Sequence, residues 1–159
     1  YVFWELWRFI KPALYAKETK IARGVVFFTS VLFSIGVLFG YYLVVPLSLN
    51  FLGTYQVSEY VSNTIGLSSF ISTVTSISFA NGIIFELPIF VYFLTKIGLL
   101  TPQFMRNYRK HAIVVTLILS AIITPPDITS QILVSIPIVF LYEISIKISK
   151  KVLKNQENQ

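Results

Sequence analysis

Apolar positions gather into long runs along this chain, separated by short segments that are polar or cationic. A helix crossing the hydrocarbon of a bilayer needs roughly 20 apolar residues. "GVVFFTSVLFSIGVLFGYYLVV" (24–45) meets that length, and Pro46 is expected to mark its outer end. "SSFISTVTSISFANGIIFELPIFVYFLT" (68–95) exceeds it and is interrupted by Gly82 and Pro88. Two shorter arms follow at 108–123 and 130–146, joined by "TPPDIT" across residues 124–129. Local bilayer thinning, or packing against longer neighbours, accommodates arms of that length.

Charge turns these runs into a topology. All 13 Lys and Arg fall within residues 1–23, 96–110 and 147–154, leaving 24–95 and 112–146 without a cation. Cationic segments stay on the cytoplasmic side, so each cation-free stretch must leave that side and return. The sequence therefore predicts an all-α polytopic bundle of four transmembrane helices with both ends in the cytoplasm. Residues 1–23, 96–107 and 147–159 form its cytoplasmic segments, and 46–67 form an external loop. Trp4, Trp7, Phe9 and Tyr15 give the first segment the aromatic belt of a membrane surface. The final "KNQENQ" is expected to be disordered. The chain opens on Tyr1 within a cytoplasmic segment, which reads as the C-terminal part of something longer.

Composition agrees with lipid rather than water. Hydrophobic residues make up 55% and charged residues 13%, against about a quarter charged in soluble domains, and the mean hydropathy is +0.73. Without cysteine, no thiolate metal site or cysteine nucleophile is available, and His111 is the sole histidine. No Ser/His, paired-Asp or metal-binding constellation lies in the spans, so neither a catalytic residue nor a metal or other cofactor is expected. The net charge of +6 reflects topology and anionic lipid rather than nucleic acid.

Few polar residues then remain to explain. An acid at the centre of a membrane helix costs about 2.5–3.5 kcal/mol, so Glu86 in "ANGIIFELPIFVYFL" (80–94) should face protein, a cavity or a partner. Asp127, after Pro125 and Pro126, suits a tight outer turn. Glu143 stands four residues before Lys147, the spacing of an i,i+4 ion pair. By position alone, Thr124 and Gln131 read as the N-cap region and start of the last helix.

"FWELWRFIKPALYAKE" (3–18), "YYLVVPLSLNFLGTY" (41–55), "GIIFELPIFVYFLTKIGLLTP" (82–102) and "IITPPDITSQILVSIPIVFLYEI" (122–144) resemble, in order, the TatC family of the twin-arginine protein translocase. The resemblance implies the last four helices of a six-helix fold, the final two short. It implies no enzyme, but a receptor and assembly platform that exports folded proteins on the proton motive force. Implied partners are twin-arginine signal peptides and single-span proteins of the TatA and TatB type, in an oligomeric complex. By the same resemblance Glu18, with Phe9 and Pro12 upstream, contributes to signal-peptide binding. Glu86 opens onto a concave face and, with Thr124 and Gln131, docks the single-span partners. Pro125, Pro126 and Asp127 shape the external turn. The implied location is the cytoplasmic membrane of a bacterium, with a thylakoid or other organelle membrane as the alternative. The rival function is a proton-coupled secondary transporter of a small solute working through Glu86.

Overall fold

The computed structural model describes residues 19–54 and 66–157, with side chains over 24–54 and 66–156. Among these residues every regular element is helical. The first rod is continuous: α1 (Thr19–Phe39) passes through a π-helical turn (Gly40–Val44) into α2 (Val45–Thr54). Pro46 does not end the span, contrary to the expectation from sequence. Its ring would clash with the carbonyl four residues back in a regular helix, and the wider turn just before it relieves that crowding. The Val45 N–H there reaches the Gly40 carbonyl, a five-residue step.

The second rod is broken. α3 (Leu67–Phe85) and α4 (Leu87–Lys96) meet at Glu86. Pro88 has no N–H to offer the Ile84 carbonyl, so the ladder cannot run through. Glu86 N–H donates to Ile83 O at 3.1 Å, closing a tighter turn, and the Glu86 carbonyl starts α4 by accepting from Ile89 and Phe90. Gly98, at φ 78, ends α4 in the left-handed conformation, its N–H on the Thr95 carbonyl. Thr101 then caps α5 (Pro102–Asn107) by accepting from Phe104 N–H at 3.2 Å.

α6 (Arg109–Ile123) and α7 (Ile128–Glu157) complete the described chain. With 15 residues, α6 is about 22 Å long, short of the ~30 Å hydrocarbon core. The last helix is not short: it extends over 30 residues. Only its apolar part ends near Ile146. Beyond that point the sequence has no helix breaker, and the cationic turns continue through the part of the tail expected to be disordered, as far as Glu157. Three helical stretches, Gly24–Thr54, Leu67–Lys96 and Ile128–Gln156, are long and apolar enough to cross a membrane.

Packing is inverted relative to a soluble bundle. On α7, Ile132, Ile136 and Phe140 are 50–66% exposed, whereas Val134 and Ile138 on the opposite side are buried. α6 leaves Ile113, Val114, Val115 and Ile118 exposed and buries only the small polar Thr116 and Ser120. Large apolar side chains on the outside and small hydroxyls at helix contacts are the distribution expected of helices packed in lipid.

Candidate functional site

The polar residues of interest occupy two places. The first is the α3–α4 break and the α1 surface against it. Here α1 and the π turn present Gly36 and Gly40, four residues apart. A Cβ on Gly36 would sit 2.7 Å from the Asn81 main-chain oxygen and 2.8 Å from Phe85; one on Gly40 would sit 2.9 Å from Ser78 Cα. The converse contact puts Gly82 against Phe33 and Val37. Three glycines thus let the two rods approach to backbone contact, as small residues do in membrane helix pairs.

That close approach encloses polar groups. Glu86 is only 2% exposed and Asn81 is fully buried. Among the described residues, neither Glu86 carboxyl oxygen, nor Asn81 Oδ1, nor Ser78 Oγ has a hydrogen-bond partner. Asn81 spends its Nδ2 within its own helix, on the Ile77 carbonyl at 2.8 Å. The concave-face expectation for Glu86 therefore meets a closed carboxyl: a docking partner would have to displace packed side chains to reach it. Such unpaired buried groups are uncommon in native structures.

The second place is the α6–α7 turn. Asp127 is the N-cap of α7: its Oδ2 accepts from Ser130 N–H at 2.8 Å and from the Ser130 hydroxyl at 2.7 Å. Its Oδ1 accepts from Thr129 N–H at 3.3 Å. The Ser130 hydroxyl, then the Ser130 and Thr129 amides, hold this carboxyl below the ordinary carboxylate value. Asp127 rather than Thr124 is thus the N-cap. Thr124 is the C-cap of the preceding helix, buried with its hydroxyl on the Ser120 carbonyl at 2.8 Å. Gln131 reaches across the hairpin, Nε2 to the Leu117 carbonyl at 3.1 Å. Between them Pro125 and Pro126 make the reversal.

Glu143 does not use Lys147 as its partner. Arg109 on α6 donates to its Oε2 at 2.8 Å, an interhelical ion pair. Elsewhere on α7, Thr95 Oγ1 donates to Ser149 Oγ at 2.8 Å, both essentially buried, and Tyr142 donates to the Met105 carbonyl at 2.8 Å. These ties leave no trace in local sequence; the Gly36/Gly40 spacing was the one signal that could have located the α1–α3 contact. Glu18, Phe9 and Pro12 lie outside the described residues.

Long apolar rods, one broken at a buried acid and joined by hydroxyl and glycine contacts, define a polytopic helical membrane protein. The family model for "Sec-independent protein translocase protein (TatC)" matches residues 1–137. The chain belongs to the TatC family. It is 46% identical over 156 residues to the TatC protein of Blattabacterium sp. subsp. Periplaneta americana, covering 98% of this chain and 59% of that relative. It is also 46% identical over 151 residues to TatC of Helicobacter pylori, covering 95% and 59%. A crystal structure of the twin arginine translocase receptor TatC superposes with a TM-score of 0.73 at 38% identity, covering 94% of this chain and 66% of that one. The chain thus spans about three-fifths of the curated relatives' length.

Proposed function

We propose that this chain forms part of the receptor and assembly platform of a twin-arginine translocase in a bacterial cytoplasmic membrane. In this reading it binds twin-arginine signal peptides and docks single-span partners of the TatA and TatB type. No bond is made or broken by the chain; export of the folded cargo draws on the proton motive force. The receptor description belongs to the solved relative, and family membership supports carrying it over. Four spans with cytoplasmic ends, α6 among them, remain the topology this function uses.

The observation that supports the docking role is that both Glu86 oxygens are unpaired; because the side chain is 2% exposed, docking in this reading requires the side chains packed over it to part. A carboxyl is costly in such surroundings, and among the described residues no hydrogen bond to it offsets the cost. A polar group on a partner helix would. Thr124 and Gln131 fit a second contact, although both are already engaged within the α6–α7 hairpin.

The test compares Glu86→Gln and Glu86→Leu in the full-length protein. Protein level and thermal midpoint should hold or rise for Glu86→Leu, because an unpaired buried acid has gone. Recovery of the co-purified single-span partner should fall roughly three- to twentyfold, the range for one hydrogen bond between membrane helices. A parallel fall of level and partner would make Glu86 a bundle-stabilising residue instead.

A further inference from the structure

We propose that the cleft between α5 and the cationic end of α7 is a binding site for the headgroup of an anionic phospholipid. The cleft, about 760 Å³, is lined by Arg106, Lys150 and Lys154, by the amides of Gln103 and Asn107, and by Leu153. Among the described residues no carboxylate lines it. None of its three cations has an ion-pair partner among the described residues, and the Glu143 carboxylate earlier on α7 is taken by Arg109. The site thus concentrates three cations with amide donors beside them, the complement of a phosphodiester.

Its walls are held in place. Tyr142 fixes α7 to the Met105 carbonyl of α5, Thr95 holds Ser149, and Gln156 Nε2 donates to the Lys96 carbonyl at 3.0 Å. Val91, Met105 and Ile146 pack as one buried cluster beneath. An extended helical tail thus carries Lys150 and Lys154 on successive turns opposite Arg106, an arrangement that disorder in the tail would have destroyed.

Depth favours a lipid over a soluble anion. The apolar part of α7 ends at Ile146, so Lys150 stands about 6 Å farther along the axis, and Lys154, at about 12 Å, is brought back toward it by the N-terminal tilt of helical side chains. The headgroup layer occupies roughly the first 5–8 Å beyond the hydrocarbon. Twin-arginine peptides, being cationic, would be repelled, so this site is separate from the receptor role and does not rest on it.

The experiment titrates the purified full-length protein in mild detergent with dioleoyl phosphatidylglycerol or dioleoyl phosphatidylcholine and counts retained lipids by native mass spectrometry. One phosphatidylglycerol should be retained at concentrations where phosphatidylcholine is not. Arg106→Gln with Lys150→Gln and Lys154→Gln should weaken that retention on the order of a hundredfold, roughly fivefold per charge. The triple Arg106→Lys, Lys150→Arg, Lys154→Arg should keep it, and Lys110→Gln, an exposed cation outside the cleft, should leave it unchanged. All variants are compared at equal thermal midpoint, which the exposure of the three cations permits. Equal retention of phosphatidylcholine, or an equal loss in Lys110→Gln, would overturn the proposal. Displacement of the lipid by millimolar inorganic phosphate would overturn it too, assigning the cleft to a free anion.

Discussion

Gly36 on α1 and Asn81 on α3 touch through their backbones: a Cβ on Gly36 would lie 2.7 Å from the Asn81 carbonyl oxygen. A main-chain atom cannot rotate away as a side chain can, so even the smallest addition must separate the helices. Gly36→Ala should therefore destabilise the full-length protein by about 1–3 kcal/mol, the range for overpacking, and Gly36→Leu by more. Gly24→Ala, where nothing lies within 4 Å, is the control. Thermal midpoints in detergent check this, and an unchanged Gly36→Leu would show that α1 and α3 do not pack as described.

The Arg109–Glu143 pair makes a separable claim. Its side chains are 48% and 40% exposed, so coupling should be modest, about 0.2–1 kcal/mol. A double-mutant cycle with Arg109→Gln and Glu143→Gln should recover it, and one pairing Glu143→Gln with Lys147→Gln should give nothing measurable. The opposite outcome would restore the local i,i+4 pairing.

Asp127 predicts a pH dependence whose sign follows from its cap. Its carboxyl is held below the ordinary 3.8 by Ser130 and Thr129. A depressed carboxylate contributes stability that is present above its unfolded value and lost as pH falls through the folded one. Asp127→Ala should thus lower the thermal midpoint at neutral pH by an amount that stays constant down to about pH 5 and shrinks below 3.8. Ser130→Ala, which removes the strongest donor, should raise the Asp127 titration toward its ordinary value. A gap between Asp127→Ala and the parent that widened with acid would refute the cap.

Glu18 carries the recognition half of the proposed function. Lys17 and Lys20 surround it, so an incoming arginine pair meets repulsion unless the carboxylate is present. A charge-assisted bond to arginine contributes about 1.5–3 kcal/mol, so Glu18→Ala should weaken signal-peptide crosslinking roughly tenfold to a hundredfold. Glu18→Asp should fall between, Glu18→Arg should be worst, and membrane insertion should not change. Undiminished crosslinking in Glu18→Arg would remove this residue from the site.

What could be read from the chain itself was whatever depends on near neighbours and on the solvent. Apolar run length and the absence of cations from 24–95 and 112–146 gave the helical membrane class, because transfer to lipid depends on composition. Pro88 gave the break beside Glu86, because a missing N–H acts within one turn. Pro125, Pro126 and Asp127 gave the reversal between the last two helices for the same reason. Tertiary structure decided the rest. Pro46 passes through a helix because the π turn at Gly40–Val44 makes room for it. Residues 147–157 stay helical as α7 continues along α4 and α5, with Ser149 and Gln156 bonded there. Glu143 prefers an arginine 34 residues away to a lysine one turn on. Glu86 is closed over because three glycines bring α1 against α3. Each of these depends on which helix faces which, and helix–helix facing in lipid is set by small-residue contacts and hydroxyl bonds between distant positions. A hydrophobicity pattern that is apolar on every side does not encode them.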